Sequence, residues 1–289
     1  MTRVVVTGGS GKAGRACITD LLAHGYTVAN VDRTPPAERH CPFTSVDLED
    51  FGQTIEALSE IDDRIHGVEA VVHLAAIPAP GLYPNAVTFK NNMLSTYNIF
   101  EAARRLNIKH VIWASSETVL GLPFDTPPPY APVDEQYPGR PESAYSLSKL
   151  LGEEMAKQFC RWDPALKIIG LRFSNIMEPS DYARFADFQD DPSLRKWNLW
   201  GYIDARDAAQ AIRKALEAPI TGAEVFIIAN ADTVMRRSNA DLLAELFPGV
   251  PLTTGVGQNE TLLSIAKASR MLGYQPQHSW RNMHGQMEP

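Results

Sequence analysis

The chain has 289 residues and a formal net charge of −7, with 27 Lys and Arg against 34 Asp and Glu. That length can bury a large core in one main domain and a smaller lobe, and the acid excess argues against a nucleic-acid or membrane-surface role. Cys17, Cys41 and Cys160 are widely spaced with no CxxC or HExxH pattern, so neither a disulfide framework nor a metal site is expected.

The first element is Arg3–Thr7, where Val4-Val5-Val6 is the β-branched run of a buried parallel strand. Gly9-x-Gly11-x-x-Gly14 follows as a tight turn opening a helix over Ala13–Ala23. The glycines permit the turn, let the backbone approach a pyrophosphate, and let the helix pack closely; the phosphates would sit on the helix N-terminus. The strand Thr27–Val31 leads to Asp32, placed to accept both hydroxyls of an adenosine ribose, which favours NAD. Arg33 and Lys12 are the residues that would favour NADP, the less favoured cofactor. Strands are then expected at Phe43–Val46, Ala70–Leu74, His110–Ala114 and Lys167–Leu171, and helices at Phe51–Glu60, Ala86–Leu106 and Ser143–Phe159. This alternation predicts an α/β, doubly wound parallel sheet of the Rossmann type, with ligands beyond the C-terminal strand ends. The proline-rich loop Gly121–Pro141 is long enough to expect a functional or mobile segment. A helix (Ala205–Ala218) and a strand (Glu224–Ile228) are expected to rejoin the sheet, and two helical patterns follow Ser238 before a polar tail expected to fray. The glycine motif begins at residue 7, leaving no room for a leader, and no apolar run is long enough to span a bilayer, so a cytoplasmic protein is expected.

Tyr145-x-x-x-Lys149 places a phenol and an ammonium one turn apart on a helix face. A free tyrosine has a pKa of about 10, and a nearby cation favours its ionised form. Tyr145 is therefore a candidate acid/base for taking an alcohol proton as hydride leaves the carbon. About 0.3 such pairs are expected by chance in this composition, so position carries the argument. The pair lies one crossover after a strand ending in Ala114-Ser115-Ser116, where the Ser116 hydroxyl can bond the reacting oxygen.

With these residues the chain resembles the extended short-chain dehydrogenases/reductases, the NAD-dependent epimerase/dehydratase family. Thr7-Gly8-Gly9-Ser10-Gly11-Lys12-Ala13-Gly14 resembles its TGxxGxxG, Asp47-Leu48 its adenine-contacting pair, and His73-Leu74-Ala75-Ala76 its cofactor-lining HLAA. Asn92 and Thr96 match its Asn-x-x-Gly-Thr with Ser95 in place of Gly, and Leu171-Arg172-Phe173-Ser174-Asn175 resembles its LRxxN. The resemblance implies Ser116, Tyr145 and Lys149 as catalytic residues, the last two also touching the cofactor. Cofactor contacts are implied for the glycine loop, Asp32, Arg33, Asp47, Leu48, Leu74–Ala76 and Asn92. Substrate contacts are expected at Ile77, Ser116, Glu117, Thr118, Tyr145, Ser174 and Asn175.

The family's sugar dehydratases carry Asp-Glu after the catalytic Ser/Thr; here the pair is Glu117-Thr118, which ranks dehydration low. The length and the Asn175–Tyr182 and Arg195–Trp200 stretches look more like uronate dehydrogenases, in which an Arg holds the substrate carboxylate. Arg195 is the candidate and Arg184 its competitor. Uronate dehydrogenases have Asn-His where Glu117-Thr118 stands, and Glu117 would repel an acid, so a neutral aldose or polyol is equally open. The expected function is NAD-dependent oxidation or reduction of a small sugar-like hydroxyl. The alternatives are a nucleotide-sugar 4-epimerase with tightly held NAD, and a non-catalytic NAD(P)-binding regulator. Residues 1–172 with 203–230 would form the cofactor domain, and 173–202 with 231–289 the substrate lobe. A homodimer through the helices at Ala86–Leu106 and Ser143–Phe159 is implied by resemblance.

Overall fold

Consecutive valines of the first strand serve opposite faces of one sheet. In the computed structural model, which describes residues 2–59 and 67–283, Val4 and Val6 join one apolar cluster and Val5 the other. The same two-residue period puts Ala70 and Val72 on one face and Val71 on the other, because side chains alternate along a strand. A strand buried on both faces needs a continuous apolar run, as these have.

In chain order the elements are β1 (Arg3–Thr7), α1 (Lys12–Ala23), β2 (Thr27–Asp32), β3 (Phe43–Ser45), α2 (Phe51–Ser59), β4 (Ala70–His73), α3 (Asn85–Arg105), β5 (His110–Ser116) and α4 (Ala144–Trp162). There follow β6 (Lys167–Phe173), β7 (Ile176–Met177), α5 (Phe185–Asp190), β8 (Ile203–Asp204), α6 (Ala205–Glu217), β9 (Gly222–Ile228), α7 (Asn239–Leu246) and α8 (Ala266–Leu272). Among the described residues the main sheet has the order β3-β2-β1-β4-β5-β6-β9, parallel throughout, and β7 pairs with β8 apart from it. The order reverses between β1 and β4, which opens a crevice at their C-terminal ends. Residues of α1 and α6 cover one face of the sheet, and residues of α2, α3 and α4 the other.

The expected elements are present, with shifts at their ends. The expected end of α2, Glu60, and the polar tail from residue 284 lie outside the described residues. β5 and β6 each run two residues beyond the expected stop, to Ser116 and Phe173. The extension of β6 passes through Arg172, whose charge is neutralised inside the protein by Glu153 at 2.7 Å. The loop 121–141 is pinned rather than free: Ala131 bridges to Leu252 and Val133 to Leu263. Leu122, Phe124, Ala131, Val133 and Tyr137 pack in a third apolar cluster with Phe185, Trp200, Leu263 and Trp280. No helix among the described residues is long and apolar enough to cross a membrane.

Candidate active site

A cavity of about 1110 Å³ follows the C-terminal edge of the sheet. Its wall includes the turn after β1, the ends of β2, β5 and β6, the loop after β4, and the first turn of α4. The turn after β1 is shaped by glycine. Gly8 has φ +70°, and a Cβ there would lie 2.5 Å from the Ala75 nitrogen. A Cβ on Gly14 would lie 2.2 Å from the Gly8 carbonyl oxygen, so Gly14 makes room for the turn itself, whereas the sequence had assigned it to helix–strand packing. Gly11 is the N-cap of α1 and offers no side-chain cap. The leading N–H groups of this helix therefore remain suited to an anion. At the far side Asp32 lines the cavity while accepting the N–H groups of Ser10 and Thr34, each at 3.1 Å. The glycine cradle, the helix terminus, the acid and the elongated cavity fit a dinucleotide.

Arg33 also lines the cavity, but its guanidinium is engaged by Asp47 at 2.5 Å, Glu49 at 2.8 Å and Asn91 at 3.1 Å. Asp47 thus serves Arg33 and stands outside the wall, while Leu48 is within it. Lys12 is in the wall and pairs with Asp181 at 2.5 Å. Leu74, Ala75, Ala76 and Ile77 form the wall after β4. Asn92 is not a wall residue: its amide accepts the Ile77 N–H at 2.8 Å and donates to the Ile77 oxygen at 3.1 Å, which fixes that loop. Gly9 faces Asn30 and Ile18, and the Ser10 hydroxyl donates to the Thr34 oxygen, so neither is in the wall.

Ser116, Tyr145 and Lys149 meet in the cavity. Alternation along β5 turns Ser115 to Glu153 behind the strand, at 2.6 Å, and Ser116 to Tyr145. Ser143 caps α4: its hydroxyl accepts the Ser146 N–H at 3.1 Å, and the Ser146 hydroxyl accepts the Ser143 N–H at 2.9 Å. Tyr145 therefore sits in the first turn. Gly152 lets α4 approach β5, since a Cβ there would lie 2.7 Å from the Trp113 ring. At that separation the Lys149 ammonium reaches the Ala114 oxygen at 2.8 Å and lies 5.6 Å from the Tyr145 ring centre. Burial outweighs charge coupling here. It pushes the Tyr145 hydroxyl up to about 12, with the Ser116 hydrogen bond pulling down and Glu117 pushing up. Burial also lowers Lys149 to about 8. Burial thus outweighs the lowering expected from the lysine.

Glu117, Thr118, Ser174 and Asn175 line the cavity beside this trio. Glu117 is buried; one oxygen accepts the Ser174 hydroxyl at 2.6 Å and the other the Asn198 amide at 3.1 Å. Burial raises its carboxyl to about 7 against the pull of these donors and of Arg195. Arg195 itself does not reach the wall. It donates to the Gly201 oxygen at 2.6 Å and to the Asn175 Oδ1 at 3.4 Å and packs 4.9 Å from the Trp197 ring centre, so the structure does not bring the expected carboxylate clamp into the wall. Arg184 is exposed and also outside the wall. Sequence reasoning missed Asn198, Trp197, Gly152 and the Glu153–Arg172 pair. A glycine inside a long helical pattern, which costs stability unless something packs against it, was the available signal for Gly152.

A family profile described as "NAD dependent epimerase/dehydratase family" matches residues 4–229. UDP-glucose 4-epimerase of Mus musculus is 28% identical over 219 residues, 70% of this chain and 61% of that protein. The alignments span only 50–61% of the length of four such epimerases. L-arabinose 1-dehydrogenase (NAD(P)(+)) of Haloferax volcanii is 24% identical over 289 residues, covering 96% of each chain. Among solved structures, a mutated uronate dehydrogenase superposes with a TM-score of 0.70 at 23% identity, over 99% of this chain and 85% of that one; this likeness is one of fold.

Proposed function

The chain belongs to the NAD-dependent epimerase/dehydratase family, and from that membership we propose that it is an NAD-dependent oxidoreductase acting on a hydroxyl of a small sugar or sugar acid. One observation carries the reading: Ser116, Tyr145 and Lys149 converge in a cavity continuous with the glycine turn and Asp32. With the cofactor bound, the nicotinamide's positive charge would add to that of Lys149 in favouring the Tyr145 phenolate, which takes the proton of the substrate hydroxyl while the C–H bond breaks and the carbonyl forms. Ser116, whose hydroxyl accepts the Thr118 hydroxyl at 3.0 Å and the Thr118 N–H at 3.2 Å, holds the reacting oxygen. Lys149 would hold the nicotinamide ribose, and its ammonium lies 5.6 Å from the Tyr145 ring centre. Bound NAD supplies the hydride acceptor. The helix terminus at Gly11 would hold the pyrophosphate and Asp32 the adenosine ribose. Asp32 together with the acids around Arg33 favours NAD over NADP, since a 2′-phosphate would meet negative charge.

The full-length match to an arabinose dehydrogenase supports net oxidation of a free sugar. The epimerases among the relatives keep a second reading alive, in which hydride returns to the opposite face and no NADH accumulates. The test is NADH formation by purified protein with NAD and a panel of aldoses, uronic acids and polyols. NADH with any of them supports a free-sugar dehydrogenase. Silence across the panel, with NAD shown to bind, refutes it in favour of epimerisation. We also infer a homodimer, supported by exposed apolar side chains on α3 and α4: Leu94, Tyr97, Leu147, Leu151 and Trp162. A monomer mass by light scattering at micromolar concentration would refute it.

A further inference from the structure

Resting on that reading of the reaction, we propose that Glu117 makes the enzyme selective for uncharged sugars: its carboxylate, built into the cavity wall, accepts a substrate hydroxyl and turns away substrates bearing a carboxylate of their own. A carboxylate has about four acceptor positions. Ser174 fills one at 2.6 Å and Asn198 a second at 3.1 Å. Glu117 lines the cavity, and its further acceptor positions are the ones a substrate hydroxyl would use. A neutral sugar brings hydroxyl donors to it at no charge cost; a sugar acid brings a second negative charge to a buried one.

Arg195 tempers the charge of Glu117 from behind the wall, not from the substrate's side. Near Ser116 and Tyr145 the ionisable wall residues are Glu117, Glu142 and Lys149, and Lys149 already donates to the Ala114 oxygen. Lys12 and Arg33 lie at the dinucleotide end, where Asp181, Asp47 and Glu49 pair with them. Arg195 stands behind the wall, tied to the Gly201 oxygen that Asn198 also bonds, at 2.6 and 2.9 Å. Its positive charge acts on Glu117, so it serves as the counter-ion of an internal carboxylate. Trp197 adds an aromatic side chain to the wall, with Arg195 stacked 4.9 Å from its ring centre.

The test uses matched pairs differing only at the terminal carbon, galactose with galacturonate and glucose with glucuronate, plus arabinose. NADH formation is followed at pH 8.5, where Glu117 is ionised. In the wild type, kcat/KM for each hexose should exceed that for its uronate by about a hundredfold, mainly through KM. In Glu117→Gln the ratio should shrink by about tenfold or more, through a lower KM for the uronate. Equal use of both members, preference for the uronate, or an unchanged ratio in a Glu117→Gln protein that still binds NAD would overturn the proposal and leave the dehydrogenase reading intact. NADH from no sugar at all, with NAD bound, would overturn both. Should Glu117→Gln fail to fold, the wild-type ratio alone decides.

Discussion

Replacing Glu153 by alanine isolates a guanidinium inside the protein. Glu153 on α4 receives the Arg172 Nε at 2.8 Å and Nη2 at 2.7 Å, both side chains being at most 6% exposed, and also the Ser115 hydroxyl at 2.6 Å. Removing one partner of a buried, hydrogen-bonded pair costs about 3–5 kcal/mol, because the other charge stays buried and unmatched. The stranded Ser115 hydroxyl adds about 1 kcal/mol. Against a total stability of about 5–15 kcal/mol this is a large fraction, and it lowers Tm by roughly 8–24 °C at about 2–4 °C per kcal/mol. Glu153 lies one turn beyond Lys149, and the pair ties α4 to β5 and β6, so turnover should fall with stability. The assay is urea unfolding followed by circular dichroism, with NADH formation measured on the same samples. A double variant, Glu153→Leu with Arg172→Met, removes both charges and should recover most of the lost stability. A single variant losing less than about 1 kcal/mol, or a double variant no more stable than the single, refutes the reasoning.

Tyr145→Phe removes one hydroxyl and keeps the ring, so kcat should fall by about 10²–10⁴ while NAD affinity, read by fluorescence titration, changes little; near-normal turnover sinks its role as acid/base. Asp32→Ala should shift the ratio of kcat/KM for NAD over NADP towards NADP by about tenfold, because the charge facing a 2′-phosphate is gone; an unchanged ratio means Asp32 does not choose the cofactor. The raised carboxyl of Glu117, about 7 in the fold against 4.5 ordinarily, binds its proton more tightly when folded. Its stabilising effect is therefore full below pH 4.5 and is lost as the pH rises through 7, by about 3 kcal/mol. Glu117→Gln should accordingly gain stability relative to the wild type between pH 4.5 and 8, read from urea midpoints at the two pH values. A constant difference between the two proteins contradicts the burial argument.

What could be read from the sequence is what neighbouring residues decide among themselves. Three valines in succession need two apolar faces, and the glycines after them need a turn that side chains would obstruct, so β1, the turn and α1 follow from local pattern. Tyr145 and Lys149 share a helix face by spacing alone. The misses depend on partners distant in sequence. Arg172 interrupts an apolar run and ended the expected strand at Leu171, yet Glu153, 19 residues earlier, neutralises it and β6 continues to Phe173. The loop 121–141 reads as free chain because the residues that pin it, Leu252 and Leu263, come more than a hundred positions later.

Arg195 and Glu117 show the same limit acting on chemistry. A lone arginine in a substrate segment invites pairing with a ligand's carboxylate, and a lone glutamate after Ser116 invites contact with solvent or substrate. In the fold the two answer each other through Asn198 and the Gly201 carbonyl. The carboxylate that Arg195 balances is already part of the protein. On the proposed selectivity, hydroxyl groups are then the chemistry left for the cavity to read.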